Sequence, residues 1–298
     1  MRKYGIRLEK REDIPFVQMV AIGGIAVILA LFVCGIFLLG ITKTNPLSVF
    51  GGIFDGAVGT NRRLWVTIRD TLVLLLVSVG LVPAFKMKFW NIGAEGQMLM
   101  GGLVSAALMI YGKNLPNSAL LPMIFFASCL AGFVWGVIPA VFKAAFNTNE
   151  TLFTLMMNYI AMQIISCCIV LWENPAGSNT VGIINGASNA GWFPFVFGLR
   201  YGINLIVVIL ITVLMMLYLK YTKHGYEISV VGESWGTAVY AGINVKKVII
   251  RTVGLSGAVC GLAGCLVVCG ASHTISTSLS GGRGFTAIIV AWMSGFRL

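Results

Sequence analysis

Cysteine and histidine are the residue types that most readily bind metals or form cross-links, and this chain has seven cysteines and two histidines. No two cysteines form a Cys-x-x-Cys pair, and only His224 and His273 could join them as ligands. This spacing is atypical of zinc sites and of disulfide frameworks. We interpret the cysteines as small buried apolar side chains, and we expect neither a metal nor a cofactor. All of them lie within apolar stretches: Cys34, Cys129, Cys167, Cys168, Cys260, Cys265 and Cys269.

Motifs for ATP binding and for hydrolysis are missing from the sequence. There is no GxxxxGK[ST] loop to hold the phosphates of ATP, and no HExxH or GxSxG arrangement typical of hydrolases. Glu95 is the only carboxylate near the body of an apolar stretch, whereas proton-coupled carriers tend to hold acids or histidines inside their spans. The sequence therefore predicts a protein that is not an enzyme and has no ATPase site of its own. An ion-coupled secondary carrier of small polar solutes is the alternative.

The composition identifies the class of protein that must position these residues. The chain is 58% hydrophobic and 10% charged, with a mean hydropathy of +0.91, whereas soluble domains hold about 25% charged residues. The net charge of +11 could indicate nucleic-acid binding, but the charges lie between apolar runs and form no basic helix. We therefore expect an integral membrane protein in contact with lipid, and no nucleic-acid partner.

The apolar runs predict an all-α, polytopic integral membrane protein with about eight membrane segments. The last run has only 11 residues, whereas a membrane-spanning helix needs about 20, so we expect the last segment to be incomplete. Glycines in the fourth and seventh runs, such as Gly132 and Gly257, predict close helix packing. The runs are Phe16–Gly40, Leu64–Phe85, Asn91–Tyr111, Leu120–Phe142, Leu152–Trp172, Ile203–Leu219, Val248–Cys269 and Thr286–Phe296.

The distribution of basic residues predicts the orientation in the membrane. With a cytoplasmic N-terminus, most of the 21 lysines and arginines fall on the cytoplasmic side, as the positive-inside rule requires. Arg62, Arg63 and Arg69 are exceptions near the outer end of the second run. Because Arg69 and Asp70 lie so close to that end, we expect them to reach the membrane surface rather than to form a functional pair inside the membrane.

A charged passage from Lys220 to Arg251 separates the sixth and seventh runs. Ser234 is a candidate N-cap for a helix of about two turns ending near Ala241, too short to be stable alone in water. We interpret the passage as a cytoplasmic docking loop, with a solvated connector as the alternative, although connectors usually run about 2 to 8 residues. Glycines are expected to break it into short pieces: Gly225, Gly232, Gly236 and Gly242.

Four segments of the sequence resemble the permease subunits of bacterial ABC importers, and in particular the simple-sugar and nucleoside uptake branch. The resemblance extends over nearly all of the chain from the second apolar run onward. The first and third segments are far more specific than a lone glycine pattern. The segments are NIGAEGQMLMGG (Asn91 to Gly102), NETLFTLMMNYIA (Asn149 to Ala161), GYEISVVGESWGTAVYAGINVKK (Gly225 to Lys247) and GFTAIIVAW (Gly284 to Trp292).

The resemblance implies roles for two sets of residues. In such permeases the cytoplasmic loop, here residues 220–251, holds a coupling helix that docks on the ATP-binding subunit. Its contact residues would be Gly232, Glu233, Ala238, Tyr240, Ala241 and Gly242. The NIGAEGQ segment begins a helix beside the translocation path, although helix capping explains Asn91 and Gln97 equally well. Candidates for hydrogen bonding or stacking with a neutral solute along that path are Asn91, Glu95, Gln97, Asn158 and Tyr159.

The resemblance also implies partners and a location. A single permease domain over residues 1–298 would pair with a second, paralogous permease chain, with an ATP-binding subunit and with an extracytoplasmic solute-binding lipoprotein in the bacterial inner membrane. Two departures from the family pattern stand out. Ser234 to Thr237 replaces the usual Asn-Pro pair and the acidic and small residues that follow it, and the chain stops at Leu298 where relatives continue. We therefore expect a C-terminally truncated domain.

Overall fold

The computed structural model describes residues 16–196 and 198–295. The predicted cytoplasmic N-terminus and the last residues, Phe296 to Leu298, lie outside this part. The described residues contain α-helices and no β-strand, which confirms the all-α prediction. The helices are α1 (Phe16–Thr42), α2 (Pro46–Val58), α3 (Asn61–Lys86), α4 (Ala94–Tyr111), α5 (Asn117–Phe146), α6 (Glu150–Trp172), α7 (Gly202–Tyr221), α8 (Lys223–Glu233), α9 (Trp235–Tyr240), α10 (Val245–Val267) and α11 (Arg283–Met293).

Six of the eight predicted membrane segments are helices long and apolar enough to cross a bilayer. The predicted third and eighth segments are also helical, as α4 and α11, but they are shorter. Helix α4 begins only at Ala94, and Glu95 and Gln97 in its first turn lower its apolar character. The six long segments are Val20–Ile41, Asn61–Lys86, Asn117–Phe146, Glu150–Trp172, Gly202–Tyr221 and Val245–Ser272. The chain is therefore a multi-pass membrane protein.

The chain divides into two compact units, Met1–Thr67 and Ile68–Leu298. In the first unit, most described side chains of α1 are exposed. Helix α2 forms in the segment between the first two apolar runs, where no helix is predicted. Asn45 accepts a hydrogen bond from the Leu47 amide, and Pro46 takes the first helical position, so the helix has both of its usual start signals.

The second unit is built around α10, which is almost entirely buried. Helices α4 and α5 approach it through glycines on both helices of each contact. A Cβ atom at Gly101 of α4 would overlap the carbonyl oxygen of Gly261 of α10, and one at Gly132 of α5 would overlap that of Gly257 of α10. Only glycine permits such an approach, and small residues are typical of helix contacts inside membranes. The predicted close packing of the fourth and seventh apolar runs is therefore confirmed.

The far end of α10 continues as a single π-helical turn, Val268–Ser272, and then leaves helical geometry. His273 follows in the left-handed region with φ of 51°. Its ring stacks on Trp192 with centroids 3.7 Å apart, and its carbonyl accepts a hydrogen bond from the Ile184 amide at 2.8 Å. The long segment between α6 and α7 is thus fastened to the end of α10, and the chain turns back toward the start of α11.

Candidate functional site

The entry to α4 is held by side chains that are buried in the protein. Asn91 Oδ1 accepts a hydrogen bond from the Gly93 amide at 3.0 Å, and Asn91 and Gln97 exchange two side-chain bonds of 3.3 Å. Asn91 also donates to Ser256 Oγ on α10 at 3.3 Å. Asparagine and glutamine each offer a donor and an acceptor, so the pair satisfies the irregular backbone before α4 and fastens it to α10.

Helix α6 supports the same entry from the other side. Asn158 Oδ1 accepts from the Gly96 amide at 2.8 Å, and Asn158 Nδ2 donates to the Ile92 carbonyl at 2.9 Å. Thr154 Oγ1 accepts from the Ile92 amide at 3.2 Å. These bonds satisfy backbone groups that the start of α4 leaves unpaired, because the first turn of any helix has donors without intrahelical partners.

Glu95 performs the corresponding task for α11. Its carboxylate accepts hydrogen bonds from the amides of Gly282 at 2.9 Å and Gly284 at 2.7 Å, and from the Ser280 hydroxyl. Only 3% of the residue is exposed. A negative charge at a helix N-terminus is stabilised both by the helix dipole and by the free amides. Glu95 therefore joins the start of α4 to the start of α11.

Four of the five predicted path residues thus come together, and Tyr159 does not join them. Asn91, Glu95, Gln97 and Asn158 are buried and hydrogen-bonded within the chain, whereas Tyr159 is 58% exposed on another face of α6. The Trp135 indole N–H, which sequence reasoning missed, is buried beside Gly96 without a hydrogen-bond partner. That these residues line a path remains a prediction.

The charged passage after α7 folds as two helices in place of glycine-separated pieces. The N-cap prediction is confirmed, because Ser234 Oγ accepts from the Thr237 amide at 3.3 Å and α9 follows. Gly236 was expected to be a break but lies inside α9, and Gly225 and Gly232, also expected to be breaks, both lie inside α8. A Cβ atom at these positions would overlap the carbonyl oxygens of Leu219 and Lys86, so they allow α8 to lie against neighbouring backbone.

The predicted coupling residues divide between two faces of this helix pair, α8 and α9. Gly232 and Ala238 are buried against the rest of the second unit. Ala238 belongs to an apolar cluster with residues of α5, α8 and α10 and of the turn after α3: Met87, Phe89, Ala140, Ile228, Val231, Val248, Ile249 and Val253. The exposed residues are Glu233, Tyr240, Ala241 and Gly242, and Tyr240 has 96% of its surface exposed.

An ion-pair cluster that sequence reasoning missed joins α8 to α10. Arg251 Nη2 donates to Glu227 Oε2 at 2.8 Å, and His224 lies within 3.4 Å of both side chains. Partial burial works to raise the pKa of the Glu227 carboxyl, but hydrogen bonds from Arg251 and His224 outweigh it and hold that pKa below its usual value. The three-residue spacing of His224 and Glu227 on one helix face is the signal that could have revealed the cluster.

Arg69 and Asp70 form an ion pair that Arg283 joins, and that they reach the membrane surface stays a prediction. Asp70 Oδ1 accepts from Arg69 Nη2 and from Arg283 Nη2, each at 2.9 Å. The Arg69 guanidinium also lies 5.4 Å from the centre of the Tyr201 ring. Arg283, which follows the non-helical segment after α10, thus supplies a second positive charge to Asp70.

The sequence is similar to those of characterised transport proteins. The guanosine ABC transporter permease protein NupP of Bacillus subtilis is 30% identical over 276 residues, which cover 91% of this chain and 78% of that protein. The nucleoside ABC transporter permease protein NupB of Lactococcus lactis is 27% identical, with 84% of this chain and 71% of that protein covered. The glucose ABC transporter permease protein TsgB13 of Haloferax volcanii is also 27% identical, with 96% and 77% covered.

The matched family is described as the branched-chain amino acid transport system / permease component, and its match runs over residues 64–297. No solved structure matches the chain. The matched residues include both the entry to α4 and the helix pair α8 and α9. The resemblance to ABC importer permeases is thereby confirmed, and the chain belongs to the branched-chain amino acid transport system / permease component family.

Proposed function

We propose that this chain is the permease subunit of an ABC importer for nucleosides or simple sugars, and that a separate subunit hydrolyses the ATP. The family match and the names of the three relatives support this reading. The observation that carries it is the short helix α9, which is fastened to the rest of the second unit by Ala238 and presents Tyr240 almost fully to solvent. A helix of this length is unstable without a partner.

The ATP-binding subunit is the partner that this surface fits. Trp235, Val239 and Tyr240 expose apolar surface around Ala241, and exposed aromatic side chains are typical of interface anchors. On the inner side, Ala238 contacts the apolar cluster, and the bond between Arg251 and Glu227 ties α8 to α10. A displacement of α9 would therefore move α10, which contacts both α4 and α5 through glycines.

A neutral, hydroxyl-bearing solute agrees best with the polar groups near the start of α4. Asn91, Gln97 and Asn158 can replace hydrogen bonds that such a solute loses on leaving water. We propose that they reach it when the entries to α4 and α11 separate, with Tyr159 offering a ring face. The family description names branched-chain amino acids, but these three amides carry no charge to pair with an amino acid, and the relatives are named for guanosine, nucleosides and glucose.

The importer would contain further subunits. We propose a second, paralogous permease chain, an ATP-binding subunit and an extracytoplasmic solute-binding lipoprotein, assembled on one permease domain over residues 1–298. The chain would lie in the bacterial inner membrane with a cytoplasmic N-terminus. The basic residues flanking α8 and α9, such as Lys220, Lys223, Lys246 and Lys247, favour a cytoplasmic position for the helix pair.

Uptake by cells that express the complete operon tests this function. Labelled guanosine, glucose and leucine are supplied to cells with and without the gene for this chain. We expect uptake of guanosine or glucose only with the gene, and its loss when ATP is depleted. Uptake of leucine alone would contradict the solute class. Uptake that persists without ATP and collapses with an ionophore would instead favour an ion-coupled carrier.

A further inference from the structure

A cavity of about 280 Å³ lies at the end of α10 remote from α8 and α9. Helix α8 contacts α10 at Arg251, 16 residues before Val267, so the cavity is roughly 24 Å from that contact at 1.5 Å per residue. Its volume is near the lower end of small-molecule sites. Its walls come from the third turn of α3, the last residue of α10, the π-helical turn, the segment after it and the first residue of α11: Arg69, Asp70, Val267, Ala271, Ser272, Thr274, Ser276, Ser278, Leu279, Gly281 and Arg283.

One wall of the cavity is a carboxylate between two guanidinium groups. Asp70 Oδ1 accepts from Arg69 Nε at 3.1 Å, from Arg69 Nη2 at 2.9 Å and from Arg283 Nη2 at 2.9 Å. These bonds all end on one oxygen, so Asp70 Oδ2 can still accept a hydrogen bond. The Asp70 side chain is 39% exposed, and both arginines line the cavity with it. Arginine has five donors, and several of them remain for a ligand.

Hydroxyl groups also line the cavity. Ser276 and Ser278 lie 3.3 Å apart through their Oγ atoms. Ser272 donates to backbone carbonyls within the segment, at 3.1 Å to Val267 and 3.2 Å to Thr274. Ser272 also belongs to the π-helical turn, and such turns occur frequently at functional sites because they displace side chains from the regular helix face.

We propose that this cavity binds the hydroxyl groups of the transported solute. The inference rests on the proposed function. A simple anion would have to approach the Asp70 carboxylate, and a simple cation would meet Arg69 and Arg283. A sugar hydroxyl is both donor and acceptor, so it can donate to Asp70 Oδ2 while accepting from a guanidinium N–H. The cavity can therefore bind adjacent hydroxyls, such as those of the ribose of a nucleoside or of a hexose.

The site is tested in the complete transporter by combining a variant of the cavity with an analogue of the solute that lacks hydroxyl groups. Uptake of guanosine is compared with uptake of dideoxyguanosine, in which two ribose hydroxyls are replaced by hydrogen. Asp70→Asn should lower guanosine uptake by about tenfold, the value of one hydrogen bond to a charged group, and should change uptake of the analogue by less than about twofold. The wild-type and the Asp70→Asn transporters use the same solute-binding protein. Its preference for guanosine over the analogue therefore cancels when the guanosine-to-analogue uptake ratios of the two transporters are compared. If glucose is the transported probe, deoxyglucose replaces the analogue.

Two further variants separate recognition from folding. Ser276→Ala and Ser278→Ala remove cavity hydroxyls without disturbing an ion pair, and they should lower guanosine uptake while leaving the amount of complex unchanged. Asp55→Asn is the matched control, because Asp55 also pairs with an arginine, Arg63, at 2.6 Å but does not line the cavity.

The outcomes distinguish this proposal from the proposed function. Equal losses for guanosine and its analogue would assign the ion pairs a structural role and overturn the cavity site. Unchanged uptake in all cavity variants would overturn it as well, while wild-type uptake of guanosine or glucose would leave the proposed function intact. Failure of the wild-type transporter to take up either probe would contradict both proposals.

Discussion

Several buried polar side chains in this chain accept hydrogen bonds from backbone amides that lack a partner within a helix. Asn91, Asn158 and Glu95 accept hydrogen bonds from amides at the starts of α4 and α11, where regular helix pairing is missing. The sequence identified these residues by motif, and their types are right for such bonds. It could not reveal that Glu95 reaches Gly284, because those two residues are 189 positions apart and no local pattern joins them.

The first prediction concerns Glu95→Gln. The amide retains the size of the carboxylate but loses its charge and one acceptor, so we expect the complex to lose about 1 to 3 kcal/mol of stability. The thermal unfolding midpoint of the purified complex measures this loss. Glu173→Gln is the matched control, because Glu173 also accepts from two amides, those of Gly177 and Asn179, but on an exposed loop. Equal midpoints for the two variants would contradict the proposed structural role of Glu95.

The second prediction concerns the Glu227 cluster. Because the pKa of Glu227 is held below its usual value, the stabilising bond is fully present above the pKa of an unfolded glutamate and is lost as pH falls through the lowered value. At neutral pH, Glu227→Gln should therefore weaken the attachment of α8 to Arg251 and reduce coupled transport severalfold. Asp55→Asn, which breaks an ion pair with Arg63 at 2.6 Å outside the helix pair, is the control. The two variants are compared by uptake and by protease cleavage near Gly242; indistinguishable results would contradict a coupling role for Glu227.

At the scale of elements, helix packing decides where glycine is required. The sequence predicted that the glycines between α7 and α10 break the chain, since glycine is a common helix terminator. Gly242 behaves in this way, with φ of +73°. Gly225, Gly232 and Gly236 lie inside helices, and at the first two positions neighbouring backbone occupies the space of a side chain. Sequence alone cannot separate these two uses of glycine, because the difference lies in residues distant along the chain, such as Lys86.

The third prediction compares two glycines of this helix pair. A Cβ atom at Gly232 would overlap the Lys86 carbonyl oxygen, whereas the nearest atom at Gly236 is Ser234 Oγ at 3.7 Å. Gly232→Ala should displace α8 and reduce stimulated ATP hydrolysis by about tenfold or more, since misplaced contacts in packed backbone cost about 1 to 3 kcal/mol. Gly236→Ala should behave as the wild type. An active Gly232→Ala complex would show that the close approach of α8 to Lys86 is dispensable.

At the scale of the whole chain, the family relationship belongs mainly to one of the two units. The family match begins at residue 64, close to the boundary between Thr67 and Ile68. Composition predicted the membrane class and the six long spans, because apolar runs of sufficient length have no other stable environment. It did not predict the late start of α4 or the return of the chain between α10 and α11, since both depend on buried hydrogen bonds between distant segments.

The measurement that tests the central claim most directly is stimulation of ATP hydrolysis in the reconstituted importer by the solute-loaded binding protein. Ala241→Arg places a long charged side chain at the proposed contact between α9 and the ATP-binding subunit, where an unpaired charge is costly. We expect this variant to abolish stimulation while the permease pair still assembles. Ala119→Arg, at the exposed start of α5, should retain it. Normal stimulation in Ala241→Arg would contradict the assignment of α9 as the coupling helix.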